Sequence, residues 1–442
     1  MPEITTKLTK KGFSLKLKHK KIINTELSYP KQIWQTYDKK DKLIRNLAYL
    51  LTLPLPLVAR FKKIFYNTPE PEFKRPFQKL MLKDLPSSTF EYKQDLKKYK
   101  KQFLSLKINF SKKPIKTKKP IKIDSEAISL LSFGKDSLLS LAIAKEISLN
   151  PIALHINDTV SPSENKLKIK FMKKLTKENN LKGHIITNSI EKLNDFETWN
   201  RAEMSLNYAH MVTGFGFIAL PLAHFYNSHH IILGNEKNFD FYIRKNGEKI
   251  YPSYDQTTEW TKKLDKMVKE FADVKVFSVI RPITDLAITK ILHSRYPNIA
   301  KYQHSCYGLD ASTRKRWCHD CSSCMGCSLF MTAFGINPRR VGLRKFFSKK
   351  NRKHYTLFNP KCPTIYDLIF SKEQELLMLL FALRNKEKGY IIDKFRKKYL
   401  KEALTREDEL RKKFFRIYAS RIPSKLKPKI LSIYKEELKD LV

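Results

Sequence analysis

Long apolar runs are missing from this chain. Its most apolar stretches, Tyr49–Ala59 and Phe215–Ala223, are short and broken by proline, whereas crossing a bilayer takes about 20 residues. Met1–Lys21 is polar and lysine-rich, without the apolar block of a secretory signal. We therefore expect a cytoplasmic protein with no transmembrane segment. Cysteine is scarce outside one stretch: of six, five fall between Cys306 and Cys327. That excludes a dispersed disulfide framework and reads as metal spacing in a reducing compartment. Acidic residues are also few, 43 against 87 Lys and Arg, for a formal charge of +44.

The charge is unevenly placed. Lys and Arg outnumber Asp and Glu by 31 to 10 in residues 1–125 and by 29 to 12 in 339–442, but only by 27 to 21 between them. A basic flank can bind RNA or an anionic membrane face, and it can equally be a solvated surface or the lysine enrichment of some thermophiles. We divide the chain into a basic N-terminal region, 1–124, an α/β domain, 125–338, and a basic helical region, 339–442. The 442 residues suffice for two or three domains.

The N-terminal region carries no clear repeat. Phe13–Leu17 alternates as a strand would, Lys40–Leu51 has a helical pattern, and Leu53-Pro54-Leu55-Pro56-Leu57 ends whatever precedes it. Lys107–Asp124, with Pro114 and Pro120, reads as a linker. From Ala127 strands and helices alternate: strands at Ala127–Leu131, Ile152–Ile156, Gly183–Thr187 and His230–Leu233, helices at Glu164–Asn180 and Met204–His224. Such alternation predicts a doubly wound parallel sheet with ligands at the carboxyl ends of its strands. Ser132–Ser137, Asn157-Asp158-Thr159 and Gly234-Asn235-Glu236 all fall at such ends. Phe277–Leu286 runs from a strand through Pro282 into a helix with Thr284 or Asp285 as N-cap. Arg384–Tyr434 reads as helical, basic and aromatic in turn.

Two constellations carry chemistry. The first is Ser132-Phe133-Gly134-Lys135-Asp136-Ser137, a short turn between a buried strand and a helix. A helix N-terminus offers unpaired N–H groups and partial positive charge to a phosphate, Gly134 allows close approach, and Lys135 adds a full charge. The spacing is not that of a Walker P-loop. The second is Cys306, then Cys318, Cys321, Cys324 and Cys327 at three-residue intervals. Thiolates so spaced reach one ion together and select zinc or an iron–sulfur cluster. We take Cys306, Cys318, Cys321 and Cys324 as ligands of a structural zinc, with a [4Fe–4S] cluster as the alternative and Cys327 as a spare fifth candidate on the following helix. Between Asn235 and Phe277, Lys237, Arg244, Tyr254, Asp255, Gln256 and Glu259 read as a substrate-contacting insertion or a solvated loop and helix.

The loop resembles the S-G-G-x-D-S loop of the PP-loop ATP pyrophosphatases of HUP type, which cleave ATP between its α- and β-phosphates. It departs at Phe133, where most members carry glycine, and its Ser-Phe-Gly start is similar to other branches, including the sulfonucleotide reductases. Ser305-Cys306-Tyr307 with the later cysteines resembles the 7-cyano-7-deazaguanine synthases. A longer resemblance, from Ser132 to Gly335, is to the ATP-dependent epimerases acting on UDP-N-acetylmuramoyl-L-alanyl-L-glutamate. It is carried by Gly234-Asn235-Glu236-Lys237, Gly247-Glu248, Tyr254, Ser278–Leu286 and Arg316–Cys324. Pro252–Gln256, the extra Cys327 and both basic flanks depart from that pattern.

These resemblances imply an enzyme that adenylates a substrate carboxylate with ATP and Mg2+, which acidifies the α-proton and opens the acyl group to attack. They place Ser132, Phe133, Gly134, Lys135, Ser137, Asn157 and Gly234 around ATP, Asp136 at magnesium or its waters, and Lys135, Asp136, Glu236 and Arg281 in catalysis. Lys237 and Arg281 are candidates for a substrate anion, and Glu236, Asp255 and Tyr254 for the general base. Rival expectations are a nucleobase- or tRNA-modifying enzyme and a non-catalytic nucleic-acid-binding protein.

Overall fold

The computed structural model describes residues 1–111, 126–158, 162–200, 210–306, 315–359 and 371–442. Thr159, Tyr307, the start of the Met204–His224 segment and most of the expected linker lie outside them. Twelve strands are described: β1 (Glu3–Thr9), β2 (Gly12–Lys18), β3 (Ile22–Ser28), β4 (Lys63–Tyr66), β5 (Lys107–Phe110), β6 (Glu126–Leu130), β7 (Pro151–Asp158), β8 (Gly183–Asn188), β9 (Ser228–Ile232), β10 (Ile243–Lys245), β11 (Glu248–Ile250) and β12 (Lys275–Phe277). Ten of them form one mostly parallel sheet in the order β12-β9-β6-β7-β8-β3-β2-β1-β4-β5, while β10 and β11 pair as a separate hairpin.

The parallel strands explain themselves by which way their side chains face. In β6 and just beyond it, Ala127 and Leu131 enter one core while Ile128 and Leu130 enter the other; in β9, Ile232 is opposed by Ile231, and in β12, Phe277 by Val276. Both faces are apolar because both are covered, as parallel sheets require. One cover includes the helices Lys135–Glu146, Asp285–Arg295, Ser322–Ala333, Lys372–Arg384, Tyr390–Phe415 and Lys427–Leu438. The other includes Lys40–Leu51, Lys74–Glu91, Met211–Ile218, Leu220–Phe225 and Thr258–Lys269. Within β6–β9 and β12 all neighbours are parallel. Counted from β6, their order is 3-2-1-4-5, so consecutive connections leave in opposite directions at β6 and β9. In an open α/β sheet, ligands bind in the crevice at that switch point.

The N-terminal region belongs to the same sheet. β1, β2 and β3 form an antiparallel meander, and β3 joins β8 through Leu27↔Asn188 and Ser28↔Thr187. The alternation of Phe13, Leu15 and Leu17 is that of a strand with one buried face. In β3 the inward positions are Leu27 and Thr25, whose hydroxyl donates to the Leu15 carbonyl, while Ile22 is exposed. That substitution of a hydroxyl for a hydrocarbon hides the strand from hydropathy. At the other end, the helical stretch expected over Arg384–Tyr434 is three helices. Gly389, at φ 131°, starts the middle one, and Arg416–Leu426 separates it from the last.

A buried polar cluster fastens the N-terminal region to the insertion after β9. Asp84 accepts from the Tyr254 N–H (3.2 Å), and Ser87 donates to the Tyr251 carbonyl (2.6 Å). Asp255 accepts from the N–H groups of Val212 (3.0 Å) and Thr213 and from the Ser253 hydroxyl. His210 pairs with Glu191 at 3.0 Å. Burial pushes both the Asp84 and the Asp255 carboxyl up to about 7; the His210 imidazole is disfavoured as a cation by burial, but Glu191 outweighs that and raises it. The folded carboxyls therefore hold protons that unfolded aspartates, near 3.8, release, so this contribution to stability falls as pH rises from about 4 to about 7. His210 adds stability below about 6.5 that is lost above its raised value. Asp255→Asn is expected to flatten the fall in urea midpoint between about pH 4 and 7; an unchanged pH slope would count against the cluster.

Candidate functional site

The loop after β6 closes on itself. The Ser132 N–H donates to the Ser137 hydroxyl (3.2 Å), the Ser137 hydroxyl donates to the Gly134 carbonyl (3.1 Å), and the two serine oxygens are 3.2 Å apart. Gly134 is the N-cap of Lys135–Glu146, in extended conformation and without a side-chain cap. The first-turn N–H groups are thus left for an anion. Gly134 is not the residue whose backbone demands glycine: its φ is −69°, and an added Cβ would meet nothing closer than Ser132 Oγ at 3.5 Å. The left-handed residue is Phe133, at φ 66°.

Phe133 is the expected departure from the loop pattern, and its surroundings account for it. A non-glycine residue in this region costs about 1–3 kcal/mol, and burying a phenylalanine returns about 1.5–3 kcal/mol. The ring is fully buried, edge-on to His155 (5.7 Å) and tilted against Phe171 (5.9 Å). Its carbonyl accepts from the His304 N–H at 2.7 Å, which fixes the turned peptide. The side chain holds the conformation that glycine would adopt freely.

Lys135 lies among carboxylates. Its ammonium donates to Asp136 at 2.8 Å and stands 3.7 Å from Glu236. Burial disfavours its charge, but Asp136, Glu236 and Asp285 outweigh this and raise it, so Lys135 stays a cation. Glu236 arrives from the end of β9, where Gly234 permits the approach: a Cβ there would come 3.3 Å from the Ser137 nitrogen and 3.5 Å from Asp136. Asp285, buried at the start of its helix, accepts from Asn238 (2.9 Å) and Gln374 (2.5 Å). Thr284 is the N-cap residue, but its hydroxyl goes to the Phe414 carbonyl instead of capping the helix.

Other expected site residues are engaged within the protein. Arg281, 5% exposed, donates to the carbonyls of Glu236 (2.8 Å) and Gln256 (2.6 Å) and to Thr261 (3.1 Å). It clamps the end of β9 to the insertion, and burial lowers its guanidinium to about 10. Lys237 pairs with Asp240 at 3.1 Å and lies over the Phe241 and Tyr418 rings. Tyr254 donates to Glu259, and Asp255 belongs to the cluster with Asp84, so Glu236 is the base candidate gathered with Lys135. Asn157 is the penultimate residue of β7, the neighbour of β6. Sequence reading did not single out Asp84 or the two histidines beside the loop; buried titratable side chains leave no spacing signature.

Cys306, Cys318, Cys321 and Cys324 place their sulfurs within 4.8 Å of one another, and Cys318 and Cys324 are 3.7 Å apart. Tetrahedral bonds of about 2.3 Å set sulfurs about 3.8 Å apart, so the quartet could hold a metal ion such as zinc. Cys321 is the N-cap of Ser322–Ala333 and accepts from the Cys324 N–H. Cys327 lies a further turn along that helix, about 4.5 Å on, outside the quartet. It accepts instead from Gln303 at 3.4 Å, and burial pushes its thiol up to about 11 despite the nearby Lys135. Among the described residues, no other His, Cys, Asp or Glu group is as compact. Compared with the models of known protein families and with curated proteins, the chain matches none.

Two outcomes test this geometry. Phe133→Ala is expected to cost about 3–5 kcal/mol in urea unfolding, with Phe133→Gly about 1 kcal/mol less damaging because glycine accepts the left-handed turn. Cys324→Ser is expected to abolish binding of one zinc equivalent, measured by chelator titration, while Cys327→Ser retains it.

Proposed function

We propose that this chain is an ATP-dependent adenylating enzyme of the PP-loop kind, with ATP phosphates on the Ser132–Ser137 loop and Asp136 as the residue that would hold a magnesium ion or its waters. The observation carrying this reading is the convergence, at the switch point of the sheet, of an uncapped helix N-terminus, half-buried Lys135 and close-approaching Gly234. A substrate carboxylate oxygen attacks the α-phosphorus, the bond to the β-phosphate oxygen breaks, and pyrophosphate leaves. Lys135 and the first-turn N–H groups are placed to stabilise the charge shifting onto the leaving oxygens. Magnesium would screen the phosphates from Asp136 and Glu236.

The substrate reading that goes with it is a carboxylate such as a terminal glutamate, with Glu236 as base if the adenylate is epimerised. Zinc is the preferred metal, because sulfurs within 4.8 Å surround a single ion, whereas a four-iron cluster attaches each thiolate to a different iron. Four thiolates leave no open position, so the ion's role is structural: Ser305 follows His304, which holds the loop, and precedes the first ligand. The basic flanks favour a second reading, modification of a nucleobase or tRNA.

The protein with magnesium is expected to catalyse exchange of labelled pyrophosphate into ATP when given the right carboxylate, and hydroxylamine should trap that carboxylate as a hydroxamate. Lys135→Ala should lower exchange by about 10²–10³-fold. Exchange without hydroxamate, appearing only with tRNA, would transfer the assignment to the second reading.

A further inference from the structure

A cavity rich in cations lies on the far side of Arg281 from Glu236 and the loop's Lys135. About 80 Å3 in volume, it is bounded by one face of the helix Thr258–Lys269 (Thr261, Lys262), by Lys275 and Ser278 around the end of β12, by Arg281, and by Arg421 from the C-terminal region. Asp265, the one acidic residue in its wall, is already held by the Val276 N–H at 2.8 Å and Lys269 at 3.3 Å. Lys262, Lys275 and Arg421 make no ion pair with any described residue. The Ser278 hydroxyl is buried and has no hydrogen-bond partner among the described residues. An unpaired buried hydroxyl costs about 1–3 kcal/mol, and the unpaired cations of the wall outnumber its one carboxylate. A tetrahedral oxyanion would answer both, and the volume accommodates one.

The cavity is joined to the loop by two links. Glu236, 3.7 Å from the Lys135 ammonium, gives its carbonyl to Arg281, and Asn235 donates to Thr261 at 3.2 Å. We infer that this cavity binds the phosphoryl group of a small phosphorylated substrate, holding it while another part of that molecule reaches the Lys135 loop. This rests on reading the loop as an ATP site, and it adds the class of the second substrate: a phosphate ester that also carries the group to be activated. Arg281 serves as wall and clamp, and Lys262, Lys275, Arg421 and Ser278 supply the donors.

The test uses the full-length protein and inorganic phosphate at constant ionic strength, with magnesium and saturating α,β-methylene-ATP to occupy the loop. Phosphate is expected to raise the melting temperature, and Lys262→Ala/Arg421→Ala, which removes two exposed side chains, to weaken that effect at least tenfold while leaving analogue binding unchanged. Ser278→Ala should lower phosphate affinity without lowering the stability of the phosphate-free protein, a pair of results that a merely structural serine would not give. No phosphate effect, or an equal effect in the double variant, overturns the inference. Loss of tRNA binding in the double variant with the phosphate effect intact overturns it in favour of a nucleic-acid phosphate. Failure of the analogue to bind defeats the ATP reading instead, and the same phosphate titrations without analogue then decide the cavity alone.

Discussion

The hydrogen bond from the His304 N–H to the Phe133 carbonyl is where the two chemical constellations of this chain meet. On one side is a residue in left-handed conformation, held there by a buried ring. On the other is a segment that two residues later supplies the first thiol of the cysteine quartet. A turn carrying a bulky residue at positive φ needs surroundings that over-determine it, and the segment leading to Cys306 is part of them. Ser323 adds to the bracing by donating to the Ser305 carbonyl at 2.5 Å. The cysteine knuckle thus acts as the foundation of the loop.

The second constraint is electrostatic. In a region of near-balanced charge, Lys135 is surrounded by Asp136, Glu236 and Asp285. An ammonium out of water needs such partners, and they hold it at the helix N-terminus. Glu236 in turn depends on Gly234 for its approach and on Arg281 for the placing of its backbone. Arg281 is therefore a residue whose removal would disturb the loop through the backbone of Glu236. The C-terminal region contributes too: Tyr418 donates its N–H to the Pro282 carbonyl, Tyr434 its hydroxyl to that of Val279, and Thr284 reaches Phe414.

Much of the parallel sheet could be read from residue pattern. Strands buried on both faces give apolar runs such as Ala127–Leu131, and the helix Lys40–Leu51 has the bounds its periodicity gives. Glu164–Asn180 differs from the observed Pro162–Asn179 only at its ends. The joining of β3 to β8 was not legible, because Thr25 takes an inward position and the pairing is non-local. The cysteine quartet was legible because metal geometry imposes a spacing. The engagement of Arg281 and Lys237 was not: a sequence shows that a cation is present, and only the fold shows that carbonyls or a nearby carboxylate already occupy it.

The β3–β8 junction also orders events in time. The N-terminal meander leaves the ribosome early, yet its outer edge at Leu27 and Ser28 stays open until Asn188 and Thr187 have been made. An unpaired strand edge is a template for wrong partners, and contacts between distant parts of a chain are slow to form. β3 itself carries no lysine but holds Glu26 at an exposed position beside that edge, and a charged side chain on an edge strand discourages wrong pairing while the edge waits for its partner.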